Sequence, residues 1–344
     1  MRISPHQANG PHVSQQRQGG GQRAPAAAAP APQDTFQAQS PQAAYQAVSG
    51  ALGDDRASQQ ALRGLYANGQ LNGPLLDQLG RLAQPGSGNA KMLAQVVKDV
   101  AAPGNIRQGQ NDFCGATAAL SGLARNDPAS YARIAADLQL TGRSTMVDGK
   151  VLQAKPDKRP NGMTATQGLM APALTEAANG RRYRVDGKGV SHAASKHAPG
   201  GDKRVPGTYA SGMERMQEML QGQSYQSLYL PGQNEHGRGK AAREAQHAVT
   251  QSVASGEQAS VNAGGHWYRV SGAGGGQLTV QDQQSGQTST VDAKQFLGGA
   301  ESVTFAAGSA KVAKDFRKHG KHEDPGGNGS GPRSSNPVED ARVR

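Results

Sequence analysis

The sequence predicts an α+β protein in which helices come first and an antiparallel sheet follows. Two patterns carry that prediction. From Ala43 to Ala102 apolar residues recur at helical spacing. From Gln258 to Phe305 short apolar runs alternate with Gly- and Ser-rich turns, the pattern of hairpin-connected strands. The chain has 344 residues, but only 35% are hydrophobic, against roughly 45–50% in an average globular domain. One ordered unit with soft ends is expected, not two full domains.

In chain order, residues 1–42 are Gln, Pro, Ala, Gly and Ser with almost nothing large and apolar, including Gly19-Gly20-Gly21 and the Pro25–Pro32 run. Such a segment cannot bury enough surface to order itself, so it reads as a disordered leader. Residues 43–102 form a helical N-terminal region: Leu62, Leu65 and Tyr66 share a face, as do Leu75, Leu76, Leu79 and Leu82, and then Met92, Leu93, Val96, Val97 and Val100. Three or four short helices fit there. Pro103-Gly104 opens the principal domain, 103–308. Small residues around Ala116, Leu120 and Leu123 predict a closely packed buried helix with Cys114 in its first turn. A second helix is expected over Thr164–Asn179, ended by Gly180 and followed by a strand at Arg182–Val185. Gly187–Tyr209 is basic, Gly-rich and unpatterned, and is expected to be a long exposed loop. Helices at Met213–Leu220 and Lys240–Ser255 flank a strand at Ser227–Leu230. Strands are then expected at Gln258–Asn262, His266–Ser271, Gln277–Asp282, Thr288–Val291 and Ser302–Phe305, with Gly272–Gly276 and Ser285-Gly286 as turns. The tail, 309–344, is charged and Gly/Pro-rich, and is expected to be disordered.

Composition narrows the function classes. The formal net charge is +11, yet the basic residues are scattered through Gly-rich segments with little aromatic interleaving, which argues against a nucleic-acid reader. A single Cys excludes an internal disulfide framework and a cysteine-rich zinc site. His192 and His197, like His319 and His322, have no partners at ligand spacing, so no metal and no other cofactor is expected. No apolar run approaches the roughly 20 residues of a membrane span, and the first residues lack the apolar core of an ordinary secretory signal.

The chemistry concentrates in three residues. Cys114 is followed 152 residues later by His266, in Gly264-Gly265-His266-Trp267, and 16 residues after that by Asp282 at the end of a short apolar strand. A thiol supplies the nucleophile, an imidazole takes its proton and a carboxylate holds the imidazole in one tautomer. Papain-type enzymes place the His roughly 130–150 residues after the Cys, close to the first gap. Each residue alone is weak evidence: a lone Cys is usually an inert hydrophobe, and a His beside Trp is often merely packed. Together, in this order, on a helix start and two neighbouring strands, they form a candidate triad. A helix N-terminus also favours the thiolate. Gln108, six residues before the Cys, is a candidate oxyanion donor with the Cys114 N–H; Gln110 is an alternative.

Gln108, Asp112-Phe113-Cys114-Gly115 and the small-residue helix after them, with Gly265-His266-Trp267, Asp282, Ser285-Gly286 and Phe296, resemble the bacteriocin-processing cysteine peptidases and their stand-alone relatives, in the papain-like superfamily. The resemblance implies a papain-like fold: a helical lobe presenting the nucleophile at a helix start, packed on an antiparallel sheet that carries the His and Asp. It also implies that Cys114 is the nucleophile, His266 the general base, Asp282 its orienting carboxylate and Gln108 the oxyanion donor. Gln283 stands where that family has Pro after the Asp, and the insertion at 187–240 is long.

The expected activity is therefore a cysteine protease acting on a protein substrate through a thioester. The leader's composition resembles the export segments of type III effectors, implying delivery into a host cell, a host protein as substrate and a possible secretion chaperone on residues 1–42. Two alternatives use the same residues. A glutamine deamidase or transglutaminase would attack a side-chain amide through the same thioester, and a non-catalytic binding module would keep only the shell.

Overall fold

The computed structural model describes residues 40–154, 160–179, 183–185, 190–193, 204–206, 208–231 and 237–308. The leader residues 1–39 and the tail 309–344 lie outside the described residues, and so do His197, His319 and His322.

Four helices open the described chain: α1 (Pro41–Leu52), α2 (Arg56–Ala67), α3 (Gly73–Leu82) and α4 (Ala90–Ala101). Three begin at side-chain caps that the sequence carries openly. Ser40, Asp55 and Asn72 accept from Ala43 N, Ser58 N and Leu75 N, satisfying N–H groups that the first helical turn leaves without partners. Helix α1 starts at Pro41, inside the stretch that composition assigned to the leader through residue 42, because Ser40 and Pro41 make a cap and first-turn pair.

A short 3₁₀ turn, Pro103–Asn105, leads to α5 (Cys114–Asn126). Every residue of α5 from Cys114 to Ala124 is buried, as its small side chains predict. Helix α6 (Pro128–Thr141) follows. Tyr131, Ile134, Ala135 and Leu138 stand at helical spacing on its buried side, amid a run rich in Ala. Its end signals are legible too: Asp127 caps Ser130 N, Pro128 is the first residue, and Gly142 closes it in the left-handed region at φ 73°. A small hairpin, β1 (Arg143–Thr145) and β2 (Val151–Gln153), precedes α7 (Ala165–Asn179). A buried carboxylate joins three of these helices. Asp99 on α4 accepts from Gln95 on its own helix, from Tyr131 Oη on α6 at 2.7 Å and from Thr166 Oγ1 on α7. Burial pushes its carboxyl pKa up, against those three hydrogen bonds.

The stretch Gly187–Tyr209 is not the open loop expected. β3 (Tyr183–Val185), β4 (Val190–Ala193) and β5 (Arg204–Pro206) form an antiparallel three-stranded sheet, whose ladder supplies the backbone partners that the composition does not advertise. Thr208, the next-to-last residue of the same stretch, is buried.

After α8 (Ala210–Gln221) the chain builds the principal sheet: β6 (Tyr225–Tyr229), then α9 (Arg238–Ala254), β7 (Ala259–Ala263), β8 (His266–Gly274), β9 (Gln277–Asp282), β10 (Thr288–Asp292), α10 (Ala293–Gly298) and β11 (Ala300–Ala306). Its order is β10-β9-β8-β7-β11-β6, antiparallel throughout. The fold is thus a mixed α+β architecture with a six-stranded antiparallel sheet. Strand period divides the sheet's faces. Trp267 joins the core of the first helices with α5, whereas Tyr268, Val270, Leu278 and Val280 join a second core with residues of α9 and α10. The outward N–H groups of edge strand β6 do not stand open: Tyr225 N donates to Glu218 and Ser227 N to Glu214, both on α8.

Candidate active site

Cys114 is the first residue of α5 and is 6% exposed. Phe113, at the N-cap position, provides no side-chain cap. His266 opens β8 directly after a two-residue turn. Gly264 (φ 62°) and Gly265 (φ 71°) are both left-handed, as a mirror-image hairpin turn between β7 and β8 requires. Asp282 closes β9, and the register sets it opposite Tyr268, two residues along from His266 on the same face.

These three side chains meet. His266 Nε2 lies 3.2 Å from Asp282 Oδ1, and the Cys114 thiol stands close enough to the imidazole to raise its pKa. With Nε2 on the carboxylate, Nδ1 is the nitrogen left for sulfur; the tautomer follows from these partners. Burial pulls the imidazole pKa down, but the Asp282 carboxylate and Cys114 outweigh it and raise it to about 9. Burial pushes Asp282 up, but His266 and the N–H groups of Gln284 and Ser285 outweigh it and hold the carboxyl at about 2. Those N–H bonds, 2.7 and 3.3 Å to Oδ1, make Asp282 the anchor of its own turn. Tyr268 lies edge-on beneath the imidazole, with ring centroids 4.8 Å apart, and is itself edge-on to Phe296 at 5.5 Å.

Of the two candidate glutamines, Gln108 is buried and Gln110 exposed. The Gln108 backbone N–H donates to Gln283 O at 2.9 Å, while Gln108 O accepts from the Asn111 carboxamide at 3.2 Å. Gln108 Oε1 is buried and has no hydrogen-bond partner among the described residues. A carboxamide turned over would place its NH₂ there instead.

Several residues that shape the site carry no chemical signature in the sequence. Thr208 is one. A Cβ on Gly115 would lie 2.9 Å from Thr208 Cβ, so the glycine after the cysteine lets Thr208 pack on the first turn of α5. Thr208 O in turn accepts from Trp267 Nε1 at 2.8 Å. Cys-Gly and His-Trp are therefore two ends of one contact, and only the folded chain reveals Thr208 between them. Gly286 is another. Its φ is 74°, and a Cβ there would collide with the Arg107 side chain and lie 2.9 Å from Gly104 O. The turn after Asp282 thus packs directly on the segment that leads to Gln108.

Among the described residues, no group of His, Cys, Asp and Glu is arranged to hold a metal ion, and no helix is long and apolar enough to cross a membrane. No protein-family model matches this sequence, and no curated protein matches it significantly. What fold and site define together is a class, an α+β protein with a buried thiol beside a half-buried imidazole–carboxylate pair at a helix-to-sheet junction.

Proposed function

We propose that this protein is a papain-like cysteine hydrolase that cleaves a protein substrate. The observation that carries the reading is the His266 imidazole, set 3.2 Å from Asp282 Oδ1 and close enough to the Cys114 thiol to be raised by it. An imidazole held between a thiol and a carboxylate is the arrangement that makes sulfur nucleophilic. In the proposed reaction the Cys114 sulfur, its proton already on His266 Nδ1, attacks a carbonyl carbon. The tetrahedral oxyanion takes hydrogen bonds from the Cys114 N–H and the Gln108 carboxamide. The imidazolium then protonates the departing amine, a thioester remains on Cys114, and water activated by His266 releases the acid. Asp282 stabilises the imidazolium throughout and takes no proton itself.

Delivery into a host cell is the second part of the proposal, supported by the composition of the leader.

The test is turnover of a protein substrate captured with Cys114→Ala, with products read by mass spectrometry. Cys114→Ala and His266→Ala should each abolish turnover, and the double variant should be no worse than either, since residues acting as one unit are not additive. Substantial activity in either single variant overturns the triad. A cut chain supports hydrolysis of the peptide bond. Conversion of Gln to Glu without a cut would reassign the same thioester chemistry to side-chain deamidation.

A further inference from the structure

We propose that Gln281 is a positioning residue for the Cys114–His266–Asp282 constellation, locking the helix that carries the thiol to the strand that carries the carboxylate. The proposal rests on the thiol–imidazole reading of the site.

The three functional segments come from distant parts of the chain, and one fully buried side chain touches the supports of all of them. Gln281 Oε1 accepts from Ser121 Oγ at 3.1 Å and from Arg269 Nε at 3.1 Å, and its Nε2 donates to Gly104 O at 2.8 Å. Ser121 lies on α5, two turns behind Cys114. Arg269 is on β8, three residues after His266. Gly104 belongs to the turn that leads to Gln108. Gln281 itself immediately precedes Asp282. Ser121 Oγ also lies 2.9 Å from Pro103 O, so its single proton is shared between that carbonyl and Gln281 Oε1.

The carboxamide's orientation is decided by chemistry. Arg269 offers only donors and the Gly104 carbonyl only an acceptor, so the oxygen must face the guanidinium and the NH₂ must face the carbonyl. The carboxamide supplies one donor end and one acceptor end. A glutamate at 281 would set oxygen against oxygen at Gly104, and a methionine would leave buried polar partners unsatisfied. Strand β9 alternates, so Gln281 points toward α5 while Asp282 points to the opposite face with His266. Gln281 therefore acts through the backbone, setting where its neighbour's carboxylate stands relative to the helix start.

The experiment measures alkylation of Cys114, the only cysteine, by iodoacetamide across pH in the full chain, with no substrate required. Gln281→Glu and Ser121→Ala are compared with wild type and with His266→Ala, each checked for folding by circular dichroism. Folded Gln281→Glu should alkylate about tenfold more slowly at neutral pH, since misplacing a group by about 1 Å costs up to a hundredfold. Its rate–pH curve should move toward that of His266→Ala. Ser121→Ala, which keeps the bonds of Gln281 to Arg269 and Gly104, should move the curve in the same direction by less; if Gln281→Glu does not fold, this variant decides. A purely structural residue would lower the melting temperature and leave the curve in place. If His266→Ala shifts the curve while folded Gln281→Glu and Ser121→Ala do not, the positioning role is overturned and the thiol–imidazole reading stands. If His266→Ala leaves the curve unchanged, the underlying reading itself fails.

Discussion

The backbone N–H of Gln108 donates to the carbonyl oxygen of Gln283 at 2.9 Å. The segment before the cysteine helix is thereby bonded to the residue that follows Asp282, although the two are 175 positions apart. This bond uses only main-chain atoms, so the Gln108 carboxamide remains free to serve another purpose.

That separation gives the first prediction. Gln108→Ala keeps the main-chain bond to Gln283 and removes only the side-chain donor. The fold should survive, and kcat on a cleaved substrate should fall by roughly a hundredfold to a thousandfold with KM little changed, as when one oxyanion donor is lost. Gln110→Ala, at an exposed position, should be near wild type. The comparison is made by steady-state kinetics; the reverse ranking would move the oxyanion role away from Gln108.

The His266–Asp282 pair sets a pH dependence whose sign follows from the two shifts. The imidazole rises from 6.5 to about 9, so its contribution to stability is complete below pH 6.5 and lost as pH rises through about 9. The carboxyl falls from 3.8 to about 2, so its contribution is complete above pH 3.8 and lost as pH falls through about 2. The melting-temperature gap between wild type and Asp282→Ala should therefore be widest between pH 3.8 and 6.5 and narrow above about 9, without closing, because the Gln284 and Ser285 N–H bonds to the carboxylate remain there. Activity should fall on an alkaline limb near pH 9, where His266 loses its proton. A gap that is constant with pH would mean the pair carries no charge interaction.

Gly286→Ala tests the turn that follows Asp282. The new methyl group meets Arg107 and Gly104 O at a backbone angle that L side chains rarely adopt. The expected cost is about 1–3 kcal/mol of stability, with activity falling further than stability because the displaced turn carries Asp282 with it. Urea unfolding and turnover measured on the same preparation would separate the two effects.

Asp99→Asn should be the most destabilising isosteric change in the helical region. The carboxylate takes hydrogen bonds from Gln95, Tyr131 and Thr166, and an amide can accept through only one of its two ends. Leaving buried donors unpaired costs about 2–4 kcal/mol. At this chain length that is on the order of 5–10 °C in melting temperature, while the rate of Cys114 alkylation should stay near wild type.

Deleting residues 1–39 should leave activity and melting temperature unchanged, since the cap of α1 begins at Ser40. Extending the deletion through residue 42 removes Ser40 and Pro41 and should cost about 1 kcal/mol. If the leader serves export, either deletion should abolish delivery to a target cell, measured by a reporter fusion; delivery without the leader would remove the effector proposal.

How much of this could be read from the chain alone depends on whether the cause is local. The caps at Ser40, Asp55 and Asn72, the small-residue face of α5, the paired glycines before His266 and the alternation along β8 and β9 are written in neighbouring residues, and they determine the helices, the hairpin and the ends on which Cys114, His266 and Asp282 stand. Helix α6 is local in the same way, with Tyr131, Ile134, Ala135 and Leu138 at helical spacing between Asp127 and Gly142, whereas β4 and β5 were hidden because a ladder's partners lie on another strand. The tertiary structure alone decided which glutamine is buried, why Gly115 and Gly286 must be glycine, and that Thr208 and Gln281 belong to the site. Each of those facts is a contact across more than ninety residues of chain. Spacing and propensity describe only the few residues on either side of a position, so no local pattern carries them.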